Sequence, residues 1–519
     1  MRRDPRIFDL QEIGMRKKHF FPAVARKRFL AIVLLLLQIG FFAYILLSGS
    51  FLSTTAWLVL SIISVIVALF VVTKKGESAY KLTWIFFILS FPIFGAFMYL
   101  ILASSVTRKA LAKRAQEAAE RTSELITAFC VDEPSCARRE VLYLSKSVGF
   151  PAYSDTDAAF LPSGESMHER LKDMLEQAER YIFLEFFIIG EGEMWEEILS
   201  ILKQKAAEGV TVRLIYDDMG SFMILPGQYP KQLRKWGIEA VAFNPFVPIL
   251  KLEQNNRDHR KIAVVDGKVA ITGGINLADE YINLFEKYGH WNDAAVMVKG
   301  RAAWSLTLFF LQMWEVCRKE QEDLTRYFPK EPFSSFKSKG LVLPYADNPL
   351  DDENVGERVY LQIISSAQKY VYITTPYLII DDKMTAALII AAKSGVDVRI
   401  VVPHHWDKRI VHMTTRSYYR ELIEAGVRIY EYTPGFMHAK TVVSDDVIAT
   451  VGSTNFDFRS LYLHFECGVL LYDHESIGAV KNNFLRILQV SEEMACPVRR
   501  FGFWGRLWYS VLRLLSPLM

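Results

Sequence analysis

Two histidines, two lysines and two asparagines recur in one spacing along this chain. His259-Arg-Lys261 is followed after four residues by Asp266 and after six more by Gly273-Gly-Ile-Asn276. His438-Ala-Lys440 is followed by Asp445 and Gly452-Ser-Thr-Asn455 in the same register, 179 positions further on. One His-x-Lys arises by chance in many proteins, whereas two long matches in one register do not. In a strand, residues i and i+2 face the same side, so each histidine would share a face with its lysine. Two such pairs brought together offer two imidazoles and two ammonium groups to one small volume, which suits a phosphodiester. Lys261 and Lys440 would balance the non-bridging oxygens, with hydrogen bonds added by Asn276, Asn455 and Ser453. Imidazole is largely neutral at pH 7, so one ring can attack phosphorus while its partner protonates the leaving alkoxide. The lysines carry the electrophilic load, and neither a metal nor another cofactor is expected.

Each histidine needs its second nitrogen held, commonly by a carboxylate. Asp293, in Trp291-Asn-Asp293, and Glu466, in Phe465-Glu466, follow the two motifs at comparable places. Asp266 and Asp445 belong to the motifs and enter the catalytic set with the His/Lys pairs. Their settings, Val265-Asp-Gly-Lys268 and Ser444-Asp-Asp446, are nevertheless hairpin signals that favour a turn-stabilising role. The Gly273-Gly274 and Gly452-Ser453 pairs are expected to let backbone approach phosphate. Glu185 and Tyr377 sit after or within predicted strands, at the end where α/β proteins bind ligands, and are weaker pocket candidates. His404-His405 with Asp407 is no metal site on this reasoning, because adjacent strand residues face opposite ways. The five cysteines are scattered without CxxC spacing and are expected to be inert thiols.

The elements that must position these groups alternate between helical and β-rich patterns, and they occur twice. Tyr181-Ile-Phe-Leu184 answers Tyr370-Val-Tyr-Ile373, and Gly209-Val-Thr-Val-Arg-Leu-Ile215 answers Gly395-Val-Asp-Val-Arg-Ile-Val401. The expected halves span 151–335 and 336–496, after a helical linker at 108–150 and before an amphipathic segment at 497–519. That last segment interleaves Trp504, Leu507 and Trp508 with Arg506 and Arg513, which fits an interfacial helix or a core-packed one.

Residues 29–73 carry no charged side chain, too long a run for one crossing, with a polar break at Ser48-Gly49-Ser50. Spans are expected near 29–47, 54–72 and 82–103, within a membrane region 29–107. Pro92 and Gly95 make the third either a full crossing or a re-entrant hairpin. The basic stretch 1–28 accounts for more than the whole net charge of +3, leaving a body of about −3. Such a body lacks the field that a nucleic-acid partner needs. The flanking basic clusters favour, on balance, a cytoplasmic catalytic part.

The duplicated His-x-Lys-x4-Asp motif resembles that of the phospholipase D superfamily. The anchor with Trp84, Pro92, Gly95 and Tyr99, together with Asn256-Arg-Asp-His-Arg-Lys-Ile262, Asp279-Glu-Tyr281 and Tyr216-Asp-Asp-Met-Gly-Ser221, resembles the bacterial cardiolipin synthases within it. The resemblance implies two pseudo-symmetric α/β/α halves in one catalytic unit, behind a transmembrane helical region. It also implies a multi-pass membrane enzyme joining two phosphatidylglycerol molecules, with phospholipids and the bilayer as partners. His259 would be the nucleophile and His438 the general acid and base, a choice that the near-symmetric motifs leave reversible. Glu466 would orient His259, and Asp293 would orient His438. Met313 and His464 depart from the family pattern, which bears on acceptor geometry. A membrane-bound hydrolase with the same residues, a transphosphatidylase with another alcohol acceptor, a nuclease or a non-catalytic scaffold are the alternatives, and the sequence does not set oligomeric state.

Overall fold

A computed structural model describes residues 51–103, 106–128, 138–222, 224–245, 255–330, 338–495 and 502–519, with scattered positions elsewhere. The basic N-terminus, most of the first expected span, and Cys130, Cys136 and Cys496 lie outside the described residues. The chain divides into two compact units: Met1–Ala110 with Phe246–Asn255 and Phe503–Met519, and Leu111–Pro245 with Asn256–Gly502.

In the smaller unit, Thr55–Thr73 is long and apolar enough to cross a bilayer. Its Leu58, Ile62, Ile66 and Leu69 are exposed, as a lipid-facing helix requires. The third apolar run does not form one long helix. Ser78–Ser90 and Pro92–Ala103 are separate helices, 13 and 12 residues long, and at about 1.5 Å per residue each is shorter than the hydrocarbon core. They fold back on each other, bringing the Trp84 and Tyr99 rings to 5.4 Å. Pro92 opens the second helix, where its missing N–H costs nothing. A Cβ at Gly95 would stand 2.2 Å from the Phe87 carbonyl oxygen, so only glycine admits the close approach. The buried Gln38 Oε1 accepts the free N–H groups of Ile93 and Phe94, at 2.9 and 3.3 Å. The C-terminal helix Phe503–Leu515 combines both expectations for it. Leu512 is buried and Thr83 Oγ1 donates to the Leu514 carbonyl (2.7 Å), while Phe503, Trp504 and Trp508 stay exposed.

The larger unit contains two mixed sheets of the same plan. The first runs Thr156–Leu161, Ala295–Gly300, Val269–Gly273, Ile262–Val265, Tyr181–Phe186, Thr211–Asp217 and Ile238–Phe243. The second runs Leu341–Asp347, His464–Tyr472, Ile448–Gly452, Thr441–Ser444, Tyr370–Thr374, Asp397–Pro403 and Arg428–Tyr432, with Ser491–Glu493 added at the edge. Tyr181–Phe186 and Tyr370–Thr374, Thr211–Asp217 and Asp397–Pro403, and the strands after each His-x-Lys triplet occupy matching places, as the sequence repeat expects. The helix Ala302–Arg318 is buried along nearly its whole length in a core that draws on both sheets, and it includes Met313. Phe310 stacks on Phe183 of the first sheet at 4.6 Å; in the second half Phe484 stacks on Tyr372 at 4.7 Å. An amphipathic helix suffices on an exposed sheet face, whereas one covered by both sheets must be apolar all round.

Candidate active site

The two His-x-Lys triplets do not lie within strands, as the spacing predicts, but in links between them. His259–Lys261 joins the short strand Arg257–Asp258 to Ile262–Val265, and His438–Lys440 joins Gly435–Met437 to Thr441–Ser444. The reason is an exchange between halves. Arg257–Asp258 pairs in parallel with His464–Phe465 of the second half, whereas Gly435–Met437 pairs in parallel with His290–Asn292 of the first. Each chain segment therefore crosses from the opposite half to its own sheet at the triplet. The His259 N–H donates to the Phe465 carbonyl (2.9 Å), and the His438 N–H to the Asn292 carbonyl (2.7 Å).

This crossing sets each imidazole beside an acid of the other half. His259 Nδ1 lies 2.9 and 3.0 Å from the two Glu466 oxygens, and His438 Nδ1 lies 2.6 Å from Asp293 Oδ2. Both acids are fully buried. With Nδ1–H donated to a carboxylate, Nε2 of each ring keeps its lone pair free for attack or for a proton. Lys261 Nζ donates to the His259 carbonyl at 2.5 Å, and Lys440 Nζ to the His438 carbonyl, so each lysine stays on its histidine's side.

Burial, then the charges of Lys261, Lys440 and His438, holds His259 well below its ordinary pKa. Burial and Lys440 push His438 down to about 4, against the pull of Asp293. Lys261 falls to about 8 and Lys440 to about 7, burial being the main cause in both. Lys261 and Lys440 each act to lower both histidines, so the two His/Lys pairs feel one another's charge. A bound phosphodiester anion would raise all four values, so that the lysines recharge and a histidine takes up from solvent the proton that a general acid must carry.

Several expectations need correction. Asp266 and Asp445, grouped with the catalytic residues, are turn residues at φ 54° and 57°. Asp266 accepts the N–H groups of Glu179, Arg180 and Tyr181 at 2.7–2.8 Å, and Asp445 those of Gln368, Lys369 and Tyr370 at 2.7–2.9 Å. Their carboxylates are consumed in holding the strand that starts beside the hairpin. The three expected phosphate donors are also engaged. Asn276 Nδ2 donates to the Tyr281 hydroxyl (2.7 Å), and its Oδ1 accepts the Ile188 N–H (3.0 Å). Asn455 hydrogen-bonds Asp457 and leaves its Oδ1, an acceptor, without a partner among the described residues. Ser453 Oγ donates to Glu466 Oε2 at 2.5 Å and accepts the Cys467 N–H at 3.0 Å, so it orients the acid.

The glycines serve neighbouring strands instead of phosphate. A Cβ at Gly274 would lie 2.2 Å from Asp293 Oδ1, and one at Gly452 would lie 2.5 Å from the Cys467 carbonyl oxygen. Glu185 is no pocket residue. It is fully buried and accepts from Arg260 Nε at 2.6 Å, gripping the middle residue of the first triplet from behind. Tyr377 donates to Asp407 Oδ2 (2.6 Å), and His404 Nδ1 meets Glu431 at 2.9 Å.

The sequence reading assigned no role to Asp217, although a strand-end aspartate before a helical turn is an N-cap signal. Its Oδ1 accepts from Met219 and Gly220, and its Oδ2 accepts the Asp258 N–H at 3.0 Å, pinning the crossing strand beside the first triplet. Aromatic walls were equally unmarked: Phe187 stands 5.0 Å from the His259 ring, and Trp291 and Tyr281 stand 5.0 and 5.5 Å from His438. His464, whose ring lies 5.5 Å from that of His259, is pushed down to about 3 by burial.

The family model described as cardiolipin synthase, PLD-like domain, matches residues 171–314 and 360–488, and a phospholipase D-nuclease N-terminal model matches 59–103. An uncharacterized protein of Streptococcus mutans is 42% identical over 87% of this chain and 99% of its own. A cardiolipin synthase of Alkalihalophilus pseudofirmus is 34% identical over 92% of this chain and 97% of its own. One of Halalkalibacterium halodurans is 33% identical over 93% and 99%. In fold, the chain matches a phosphatidylserine synthase of Haemophilus influenzae with a TM-score of 0.58 at 16% identity, over 73% of this chain and 99% of that one. Two halves of one plan, joined by exchanged strands that set His259 and His438 against opposing acids, thus coincide with extended likeness to named synthases, and the chain belongs to the cardiolipin synthase family of phospholipase D-type phosphatidyltransferases.

Proposed function

We propose that the substrates are two phosphatidylglycerol molecules and that the reaction passes through a phosphatidyl-histidine. His259 Nε2 attacks the phosphorus of the first lipid, and the P–O bond to glycerol breaks. His438 gives its Nε2 proton to the departing glycerol oxygen. The terminal hydroxyl of the second phosphatidylglycerol then loses its proton to His438 and attacks the same phosphorus. The P–N bond breaks, cardiolipin leaves and His259 is restored. Lys261 and Lys440 balance the phosphoryl oxygens throughout, and the two acids stabilise whichever imidazolium forms. The observation that carries this reading is the pair of crossed His–carboxylate contacts flanked by two buried lysines.

A membrane setting fits the substrates, since anchoring the site near the bilayer raises effective lipid concentration and limits competing water. We place the chain as a multi-pass protein with its catalytic unit at the cytoplasmic face. The Ser78–Ser90/Pro92–Ala103 hairpin is read as re-entrant, and the exposed aromatic end of Phe503–Leu515 as interfacial. The full chain in vesicles of labelled phosphatidylglycerol is expected to release cardiolipin and glycerol in equal amounts, and His259→Ala to release neither. Phosphatidic acid as the sole product would make it a hydrolase and refute the transfer reading. Protein from His438→Ala denatured in detergent at neutral pH should retain lipid label, because loss of the base slows breakdown of the intermediate more than its formation.

A further inference from the structure

His464 presents a loosely held imidazole beside the nucleophile, its Nδ1 3.7 Å from Glu466 Oε1 and beyond hydrogen-bond distance. Its side chain is 10% exposed, and neither ring nitrogen has a hydrogen-bond partner among the described residues. A buried polar group left in this state is costly unless a ligand completes it. We propose that His464, His259 and Glu466 form a binding site for a zinc-class divalent ion, and that filling this site switches the phosphatidyl chemistry off.

One ligand atom from each of the three residues lies within 4.8 Å of the others. His259 Nδ1 stands 2.9 Å and His464 Nδ1 stands 3.7 Å from Glu466 Oε1. Zinc bonds of about 2.0–2.2 Å in a tetrahedron separate neighbouring ligand atoms by roughly 3.3 Å, so the two distances to Glu466 Oε1 lie within a few tenths of an ångström of that spacing. Ser453 hydrogen-bonds Glu466 Oε2 and supplies the outer support that metal carboxylates need, while an ion would take the place of the proton between His259 Nδ1 and Oε1. Two imidazoles and one carboxylate suit zinc and its transition-metal neighbours, whereas magnesium and calcium favour oxygen-only sets. Lys261 and Lys440 face the same volume and oppose a cation, so the site is a moderate one, reversible by a chelator.

Inhibition follows from one proton. In the free enzyme the His259 proton sits on Nδ1, donated to Glu466, and the Nε2 lone pair is available. Coordination through Nδ1 sends that proton to Nε2, and the lone pair that must attack phosphorus is lost. The binding site stands on geometry alone, while its inhibitory consequence rests on the reading of His259 as nucleophile.

The test uses the full chain in detergent micelles. Zinc affinity is measured by competition with a chromophoric chelator, and phosphatidyl transfer is measured with zinc or magnesium, each variant against its own metal-free rate. Wild type should bind one zinc per chain, lose transfer as the site fills and recover with EDTA, while magnesium at the same concentration leaves transfer intact. His464→Asn and His464→Gln should each weaken zinc binding about tenfold or more and shift inhibition in parallel. Unchanged zinc affinity in both variants, or equal inhibition by magnesium, would overturn the proposal. Binding that depends on His464 in a protein making no cardiolipin would instead keep the site and refute the catalytic reading.

Discussion

Replacing each orienting acid by its amide should have very different consequences in the two halves, although the residues occupy matching places. Asp293 Oδ1 accepts the N–H of Ala294 at 2.8 Å, while Oδ2 accepts Nδ1–H of His438 at 2.6 Å. Both partners are donors, and an amide has only one oxygen. In Asp293→Asn that oxygen either stays with Ala294, forcing the amide N–H₂ against Nδ1 and the proton onto Nε2, or serves His438 and faces the Ala294 N–H with a donor. The first outcome gives the wrong tautomer, a change that costs about 10⁴ in a serine-protease triad. The second leaves a buried donor unpaired at about 1–3 kcal/mol and also removes a charge-assisted bond. Glu466 differs because its second oxygen meets Ser453, a hydroxyl that can donate or accept. Glu466→Gln can turn its N–H₂ to Ser453 and keep the His259 tautomer, losing only the charge, or about 1–2 kcal/mol. With about 1.36 kcal/mol per tenfold, kcat/KM should fall roughly 5–30-fold in Glu466→Gln and roughly 10²–10⁴-fold in Asp293→Asn. Steady-state cardiolipin formation by each folded variant measures this. Equal losses, or the larger loss at Glu466, would refute the argument.

Gly274→Ala places a Cβ 2.2 Å from Asp293 Oδ1, so the carboxylate must shift and transfer should drop at least tenfold; retention of full rate would show that Asp293 has room to move. Asp266→Ala removes the acceptor of three backbone N–H groups and should lower stability by about 1–3 kcal/mol, read in denaturant titrations, with the rate per folded molecule preserved. In the free enzyme Lys440 is pushed down to about 7 and Lys261 to about 8, so each loses its charge as pH rises through those values. Since phosphate capture needs the charged forms, kcat/KM should decline as pH rises from 7 to 9, and substrate binding in that range should take up protons. Calorimetry in buffers of different ionisation enthalpy detects that uptake, and proton release instead would contradict the assignment.

The duplicated motif and repeated strand patterns were legible in the sequence because they are local: a period of two, a hairpin signal at Asp266 and Asp445, and a register that survives duplication. That the two halves share one plan follows from the repeat, and the turn role of the two aspartates follows from the hairpin signals around them. The apolar runs likewise marked membrane-compatible helices, and Pro92 with Gly95 marked the place where the third run folds back. Contacts between residues far apart in the chain were decided only by the tertiary structure. Nothing near His259 says that Arg257–Asp258 leaves its own half to pair with His464–Phe465, yet that crossing takes the triplet out of the strand and delivers it to Glu466. Whether the Ser453 hydrogen is free for substrate depends on Glu466 arriving beside it, which spacing does not encode. His464 was marked in the sequence only as a departure from the family pattern, and the fold alone brings its ring to 5.5 Å from that of His259. Chemistry was written in residue types, and its geometry in the pairing of strands some two hundred positions apart.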